Sequence, residues 1–288
     1  MAGGADDREL RPATRLVGAG RRPEWTGTPA EPGAVVNPPV WRASTHLYPD
    51  SAALHARKPN ADGHFYYGRR GAPTQWSLAD ALTALEPGAA GTVLYPSGVA
   101  ALAGALLAVL RPGDTLLMTD NAYEPTRSMG RGLLKDFGVE TRWFDPLDPA
   151  SFDAAIDPTC KAVLLESPGS LTLEVCDVPA LAAIARQHGL AVVLDNTWAG
   201  PTGFPAVERG ADISVMSLTK HFGGHSDVMM GSASAGTRFY GKLRSLAQGL
   251  GQVVSPDDAA LVMRGMRTMD LRLKQETASA LALAQWLD

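Results

Sequence analysis

From about Gly63 to Ala235, short apolar runs closed by Gly, Pro or hydroxyl residues alternate with longer stretches of helical period. Thr92–Tyr95, Thr115–Thr119, Thr141–Phe144, Ala162–Glu166, Ala191–Asp195 and Ile213–Ser217 predict strands. Between them, Gly98–Leu110, Thr126–Phe137 and Val178–His188 predict helices. Strands that alternate with helices predict an α/β fold, a mainly parallel sheet covered on both faces. Ligands of such sheets gather beyond the carboxyl ends of the strands, so the residues just after each strand are the first candidates for chemistry.

The flanks differ in texture. Met1 to about Asp62 is rich in Pro and Gly with little periodicity, which predicts an extended arm. Pro256 to Asp288 is helical in pattern, and Ser255, Pro256 and two aspartates open it as a capped helix. Met263, Met266 and Met269 recur at helical spacing and predict core packing. The pattern reaches Gln285-Trp286-Leu287-Asp288 without a Gly or Pro stop, so the expectation is a helix leading toward a further C-terminal domain. The expected division is an arm over 1–62, a large domain over 63–255 and a helix over 256–288.

Composition narrows the class. The chain has 288 residues, 45% of them hydrophobic and 19% charged, which is the profile of a globular protein and not a disordered one. A net charge of −4 gives no reason to expect nucleic acid or an acidic membrane as partner. The basic cluster Arg264, Arg267, Arg272 and Lys274 reads as a solvated face or a subunit contact. Two cysteines, Cys160 and Cys176, make no disulfide framework and read as small buried residues in a reducing cytoplasm. Met1 to Gly20 lacks the apolar core of a signal peptide.

Three clusters carry candidate chemistry. In Ser217-Leu218-Thr219-Lys220, followed by Gly223 and Gly224, a lysine stands directly after an apolar strand among hydroxyls and glycines. That is a surface lysine in a turn, or a lysine whose amine forms a Schiff base with an aldehyde cofactor while Ser217 and Thr219 bond its phosphate. Asp195 ends a buried strand. It reads as a loop or capping carboxylate, or as the partner that keeps a cofactor's pyridine nitrogen protonated. Tyr95-Pro96-Ser97-Gly98-Val99 is a strand ending in a small-residue turn that opens a helix, a setting that suits a phosphate. No dinucleotide or nucleoside-triphosphate loop pattern competes for that role. His221 and His225 are four apart, but Phe222-Gly223-Gly224 argues against a helix there, and no metal site is expected.

The string Ser217-Leu218-Thr219-Lys220-His221-Phe222-Gly223-Gly224-His225-Ser226-Asp227 resembles the cofactor-lysine signature of the Cys/Met-metabolism enzymes that use pyridoxal 5'-phosphate (PLP). The resemblance runs from Thr14 to Asp288. It implies the aspartate-aminotransferase (fold type I) architecture with a mostly parallel seven-stranded sheet. By the same resemblance Lys220 holds the PLP, Asp195 faces its ring nitrogen and Tyr123 stacks on the ring. Ser97, Gly98 and Val99 form the phosphate turn, while Tyr67 and Arg69 reach the phosphate of a neighbouring subunit in a homodimer or homotetramer. Glu166-Ser167-Pro168-Gly169-Ser170, Tyr67-Gly68-Arg69-Arg70-Gly71 and Asp195-Asn196-Thr197-Trp198 are similar to the cystathionine β-lyase branch. That branch implies α,β-elimination of L-cystathionine to L-homocysteine, pyruvate and ammonia, within methionine biosynthesis. A γ-lyase or γ-synthase of the same family, or a binding subunit without turnover, would use the same Lys220 and Asp195. The family's substrate-carboxylate arginine matches no residue up to Asp288.

Overall fold

A computed structural model describes residues 10–57 and 63–288; the remainder of the expected arm, 1–9 and 58–62, lies outside the described residues. In chain order the helices are α1 (Pro12–Gly18), α2 (Pro23–Thr26), α3 (Ser51–Ala56) and α4 (Pro73–Leu85). Strand β1 (Gly91–Tyr95) is followed by α5 (Gly98–Val109), β2 (Thr115–Thr119), α6 (Glu124–Met129) and β3 (Glu140–Phe144). Then come α7 (Pro149–Ala154), β4 (Cys160–Glu166), α8 (Val178–Gln187), β5 (Ala191–Asp195) and α9 (Gly200–Gly203). The chain continues through β6 (Ile213–Ser217), β7 (Gly231–Ala235), α10 (Thr237–Gly249) and α11 (Pro256–Leu287). These elements form two compact units.

One unit is the sheet with its helices, Glu86–Ser217 and Met230–Val253. Its seven strands run in the order β1-β7-β6-β5-β4-β2-β3, and β7 alone is antiparallel to its neighbours. The mostly parallel seven-stranded sheet is thus as expected. All six expected strands are present, and β7, Gly-Ser-Ala-Ser-Ala, is an addition. Small residues are what its place demands. A Cβ on Gly231 would lie 2.2 Å from the Ser97 carbonyl oxygen, so no larger side chain fits beside the start of α5. The expected helix over Thr126–Phe137 is divided: α6 passes into a π-turn at Gly130–Leu134, where Gly130 packs on Thr141.

Both faces of the sheet are covered, as its strand composition requires. On one side Leu116, Leu164, Val193 and Val215 pack with Leu102 and Leu106 of α5 and Phe239 and Leu243 of α10. On the other, Val163, Leu165, Val192 and Leu194 pack with Leu181 and Ala185 of α8. Each fully buried side chain of this size contributes about 1.5–3 kcal/mol relative to exposure. Cys160 and Cys176 are free and buried, and desolvation pushes both thiols up from their usual range. That makes them packing residues and poor nucleophiles.

The sheet unit buries one carboxylate far from the strand ends. Glu86 is fully buried, with Oε1 accepting the Val207 N–H at 3.1 Å and Oε2 without a hydrogen-bond partner among the described residues. Desolvation lifts its pKa from 4.5 to about 7. A raised carboxylate favours the folded state most where it is protonated. This contribution is therefore complete below pH 4.5 and lost as the pH climbs through 7, on the order of 3 kcal/mol in all. Glu86→Gln keeps an acceptor for Val207 and removes the charge. Urea unfolding at pH 5 and pH 8 should show the variant close to wild type at the lower pH and more stable at the higher one.

The second unit gathers the described residues up to Leu85 with Leu218–Met229 and Val254–Asp288. Leu16 of α1, Leu78, Leu82 and Leu85 of α4, and Val262, Met263, Met266 and Met269 of α11 are buried in it. The methionine spacing is core packing, as expected. Ser255 caps α11, accepting N–H bonds from Asp257 and Asp258, and Asp257 takes a two-pronged bond from Arg42. The arm is less featureless than its composition predicts, because prolines start α1 and α2, and Asp50 caps α3. Two members of the basic cluster are half-buried and bonded within the chain. Arg267 donates to the carbonyls of Leu16 and Val17, and Arg272 to those of His221 and Gly265. Among the described residues no helix is long and apolar enough to cross a membrane.

Candidate active site

The carboxyl ends of the central strands hold most of the candidate residues. β1 ends at Tyr95, and Ser97 caps α5 by accepting the Ala100 N–H at 3.1 Å. The first N–H groups of α5, those of Gly98 and Val99, have no partner within the helix and carry the positive end of its dipole. The end of β6 meets this turn. A Cβ at Gly98 would lie 2.8 Å from the Ser217 Cβ and 3.1 Å from its hydroxyl oxygen, so glycine is required for the approach. Free backbone N–H groups and the Ser217 hydroxyl thus converge at one helix N-terminus. This donor set fits a phosphate.

On the neighbouring strand, β5 ends in Asp195. Its Oδ1 accepts the Thr197 N–H at 3.0 Å, and the Thr197 hydroxyl in turn accepts the Ser217 N–H at 2.9 Å. Thr197 therefore ties the ends of β5 and β6 together, a role that its sequence context did not single out. Burial drives the Asp195 pKa upward, opposed by the two bonds from Thr197. Asp195 and Glu166 occupy the same register on β5 and β4. Glu166 accepts the Tyr123 N–H at 2.8 Å, which fixes the start of α6, and the Tyr123 side chain is left exposed. Glu166 is a further residue that sequence reading passed over, since nothing in a strand-ending Glu marks it as paired. A carboxylate at the end of β5, next to the β6 end that brings Ser217 to a phosphate cradle, suits a pyridine ring that carries a phosphate.

The second unit holds the lysine. Lys220, three residues beyond the end of β6, lies in a tight turn closed by the Gly223 N–H on the Leu218 carbonyl and the Gly224 N–H on the Lys220 carbonyl, both at 2.8 Å. Gly224 has φ +75°, and a Cβ there would lie 2.4 Å from the Arg272 guanidinium. Gly265 of α11 packs directly on the carbonyls of Phe222 and Gly223. The lysine turn is therefore held by α11 through Arg272 and Gly265, a long-range dependence that the local motif does not reveal. Thr219, Lys220, Asp227, Met229, Arg272 and Glu276 line a cavity of about 680 Å³, and Lys220 is exposed to it. His221 Nδ1 stands 3.7 Å from Glu276, and His225 Nδ1 is 2.8 Å from the Gly223 carbonyl. Among the described residues no group of three His, Cys, Asp or Glu side chains could hold a metal. Tyr67 and Arg69 sit at the 3₁₀ turn Gly68–Arg70, both exposed, where the Gly68 N–H is bonded to the Ser44 carbonyl at 2.6 Å.

Known proteins are similar to this chain over nearly its whole length. Cystathionine β-lyase MetC of Escherichia coli is 43% identical over 277 residues, which is 95% of this chain and 68% of that protein. L-methionine γ-lyase of Pseudomonas putida is 36% identical over 96% of this chain and 68% of that one. The crystal structure of metB from Corynebacterium glutamicum superposes with a TM-score of 0.83 at 28% identity, covering 93% of this chain and 66% of the solved one. The profile of the Cys/Met metabolism PLP-dependent enzymes matches residues 14–288, and the chain belongs to that family.

Proposed function

We propose that this protein is a PLP-dependent carbon–sulfur lyase that cleaves L-cystathionine by α,β-elimination to L-homocysteine, pyruvate and ammonia. The observation that carries the reading is the pairing of a buried carboxylate, Asp195 at the end of β5, with a phosphate cradle formed where Ser217 at the end of the adjacent β6 meets Ser97 and Gly98 of the α5 turn. The 43% identity to a cystathionine β-lyase supports the β-lyase branch over the γ-lyase, at 36%. When bound, the cofactor supplies an electron sink for the carbanion formed at the substrate Cα. The N–H groups of Gly98 and Val99 bind its phosphate with the hydroxyls of Ser97, Ser217 and Thr219. Asp195 holds the proton on its ring nitrogen. Lys220 Nζ carries the cofactor and moves the Cα proton, and the exposed Tyr123 ring stacks on the cofactor and steers that transfer.

In this reading 63–255 is the cofactor-binding domain, preceded by the arm of 1–62 and followed by the helix of 256–288, in a cytoplasmic enzyme. Incubation with L-cystathionine tests the reaction. Pyruvate and homocysteine in equal amounts are expected, whereas 2-oxobutyrate and cysteine would assign the chain to γ-elimination instead.

Self-association carries a separate expectation, since Tyr67 and Arg69 are exposed and the family resemblance takes them to the phosphate of a neighbouring subunit. Arg69→Ala and Lys220→Ala should each be inactive alone. Mixed under conditions of subunit exchange, they should regain up to about a quarter of wild-type activity, because some hybrid sites combine two intact halves. No recovery despite proven exchange would mean that each site is built from one chain.

A further inference from the structure

Glu166 has no part in the reaction proposed above, yet it stands beside the residue on which that reaction depends. It ends β4 at the register of Asp195 on β5. Partners in neighbouring strands lie roughly 5 Å apart along the backbone and send their side chains to the same face. Within the sheet unit, the groups that interact with Glu166 are the Asp195 carboxylate from β5, the Tyr123 N–H from the start of α6 and the Ser170 hydroxyl from the loop after β4. Two carboxyls so placed do not both ionise freely, because the second charge must form beside the first.

The hydrogen bonds decide which of the two carries the charge. Asp195 receives both the N–H and the hydroxyl of Thr197. That hydroxyl already accepts the Ser217 N–H at 2.9 Å, so its own proton is turned outward, toward the carboxylate. A carboxylate with two fixed donors favours its ionised form. Glu166 takes the Tyr123 N–H at 2.8 Å and the Ser170 hydroxyl; that hydroxyl, unlike the one of Thr197, is held by no second partner among the described residues and can turn to accept a proton from Glu166.

We propose that Glu166 and Asp195 form a one-proton pair, in which Glu166 holds the proton and Asp195 keeps its charge. This deepens the proposed function, resting on the reading of Asp195 as the partner of the ring nitrogen. Glu166 is then a positioning residue. Neutral, it lends no second negative charge to the ring and anchors the backbone of Tyr123; ionised, it would crowd Asp195. Burial and the neighbouring charge push Glu166 up to about 7, so the pair holds its single proton through the acid side of neutrality.

Carboxyl carbon chemical shifts, followed against pH in protein labelled at Glu and Asp, test the pair without any turnover. Freed of cofactor and carrying Glu86→Gln, which removes the other carboxyl raised to about 7, the protein should show one carboxyl titrating near pH 7. Glu166→Gln should lack it, and in Asp195→Asn it should move down toward the ordinary carboxylate range. The proposal is overturned if no carboxyl titrates near neutrality, if the signal survives in Glu166→Gln, or if Asp195→Asn leaves its position unchanged. Should Glu166→Gln not fold, the Asp195→Asn shift alone decides. Loading with PLP separates this proposal from the one beneath it. A proton on the ring nitrogen offsets the Asp195 charge, so the Glu166 titration should fall on loading. A titration that is present in the apo protein and indifferent to PLP would support the pair while refuting Asp195 as the ring partner.

Discussion

Lys220→Ala should reduce elimination from L-cystathionine to background, a loss of at least about 10²–10⁴-fold from missing proton transfer alone. The side chain has two tasks in the proposed reaction, holding the cofactor and moving the Cα proton, and alanine performs neither. Lys220→Arg separates these tasks from simple charge. It keeps a cation at the cavity formed with Asp227, Arg272 and Glu276, but a guanidinium neither joins the cofactor nor gives up its proton near neutrality. It should be as inactive as alanine. The fold should survive both changes, since Lys220 is exposed and the turn is closed by backbone bonds and by Arg272. Thermal unfolding of the cofactor-free proteins within a few degrees of wild type would confirm that the loss is chemical. A Lys220→Ala protein that retained a tenth of wild-type activity would remove the lysine from the mechanism.

Asp195→Asn should bind PLP about ten- to a hundredfold more weakly, the value of one hydrogen bond to a charged partner at roughly 1.5–3 kcal/mol. Asparagine keeps the shape and can still accept from Thr197, so the substitution tests charge with little change in packing. Turnover should fall further than affinity does, because an unprotonated ring is a poorer electron sink during proton removal than at rest. The measurement is PLP affinity by titration of the cofactor-free protein, set beside kcat at saturating PLP. Equal affinity and equal kcat in the two proteins would mean that the Asp195 carboxylate does not face the ring.

The sheet was readable where strands are apolar and β-branched. Val192-Val193-Leu194 and Ala162-Val163-Leu164-Leu165 announce buried parallel strands because both of their faces are covered. β7 was not readable, because it is a run of Gly, Ser and Ala without bulky apolar residues, and its Gly231 is required by the α5 turn pressing on it, a contact made across more than a hundred residues of chain. The same division holds at the candidate site. Ser97, Gly98, Asp195, Ser217 and Lys220 end strands or stand within three residues of a strand end, and the α/β pattern alone directs attention there. Glu166 also follows that rule as the last residue of β4, yet its significance depends on register with Asp195, and register is invisible in one sequence. Thr197 matters through a bond to the Ser217 backbone, and Arg272 through the His221 carbonyl, more than forty residues earlier in the chain. Each of those links is made by packing between elements and leaves no local pattern.

The central claim is that one lysine of this chain carries the cofactor. It is tested most directly by reducing the PLP-loaded protein with borohydride and locating the modified residue by peptide mass spectrometry. The account predicts a single phosphopyridoxyl adduct at Lys220, near one per chain, with Lys58, Lys135, Lys161, Lys242 and Lys274 unmodified. An adduct on one of those lysines, or one spread over several with Lys220 free, would contradict it.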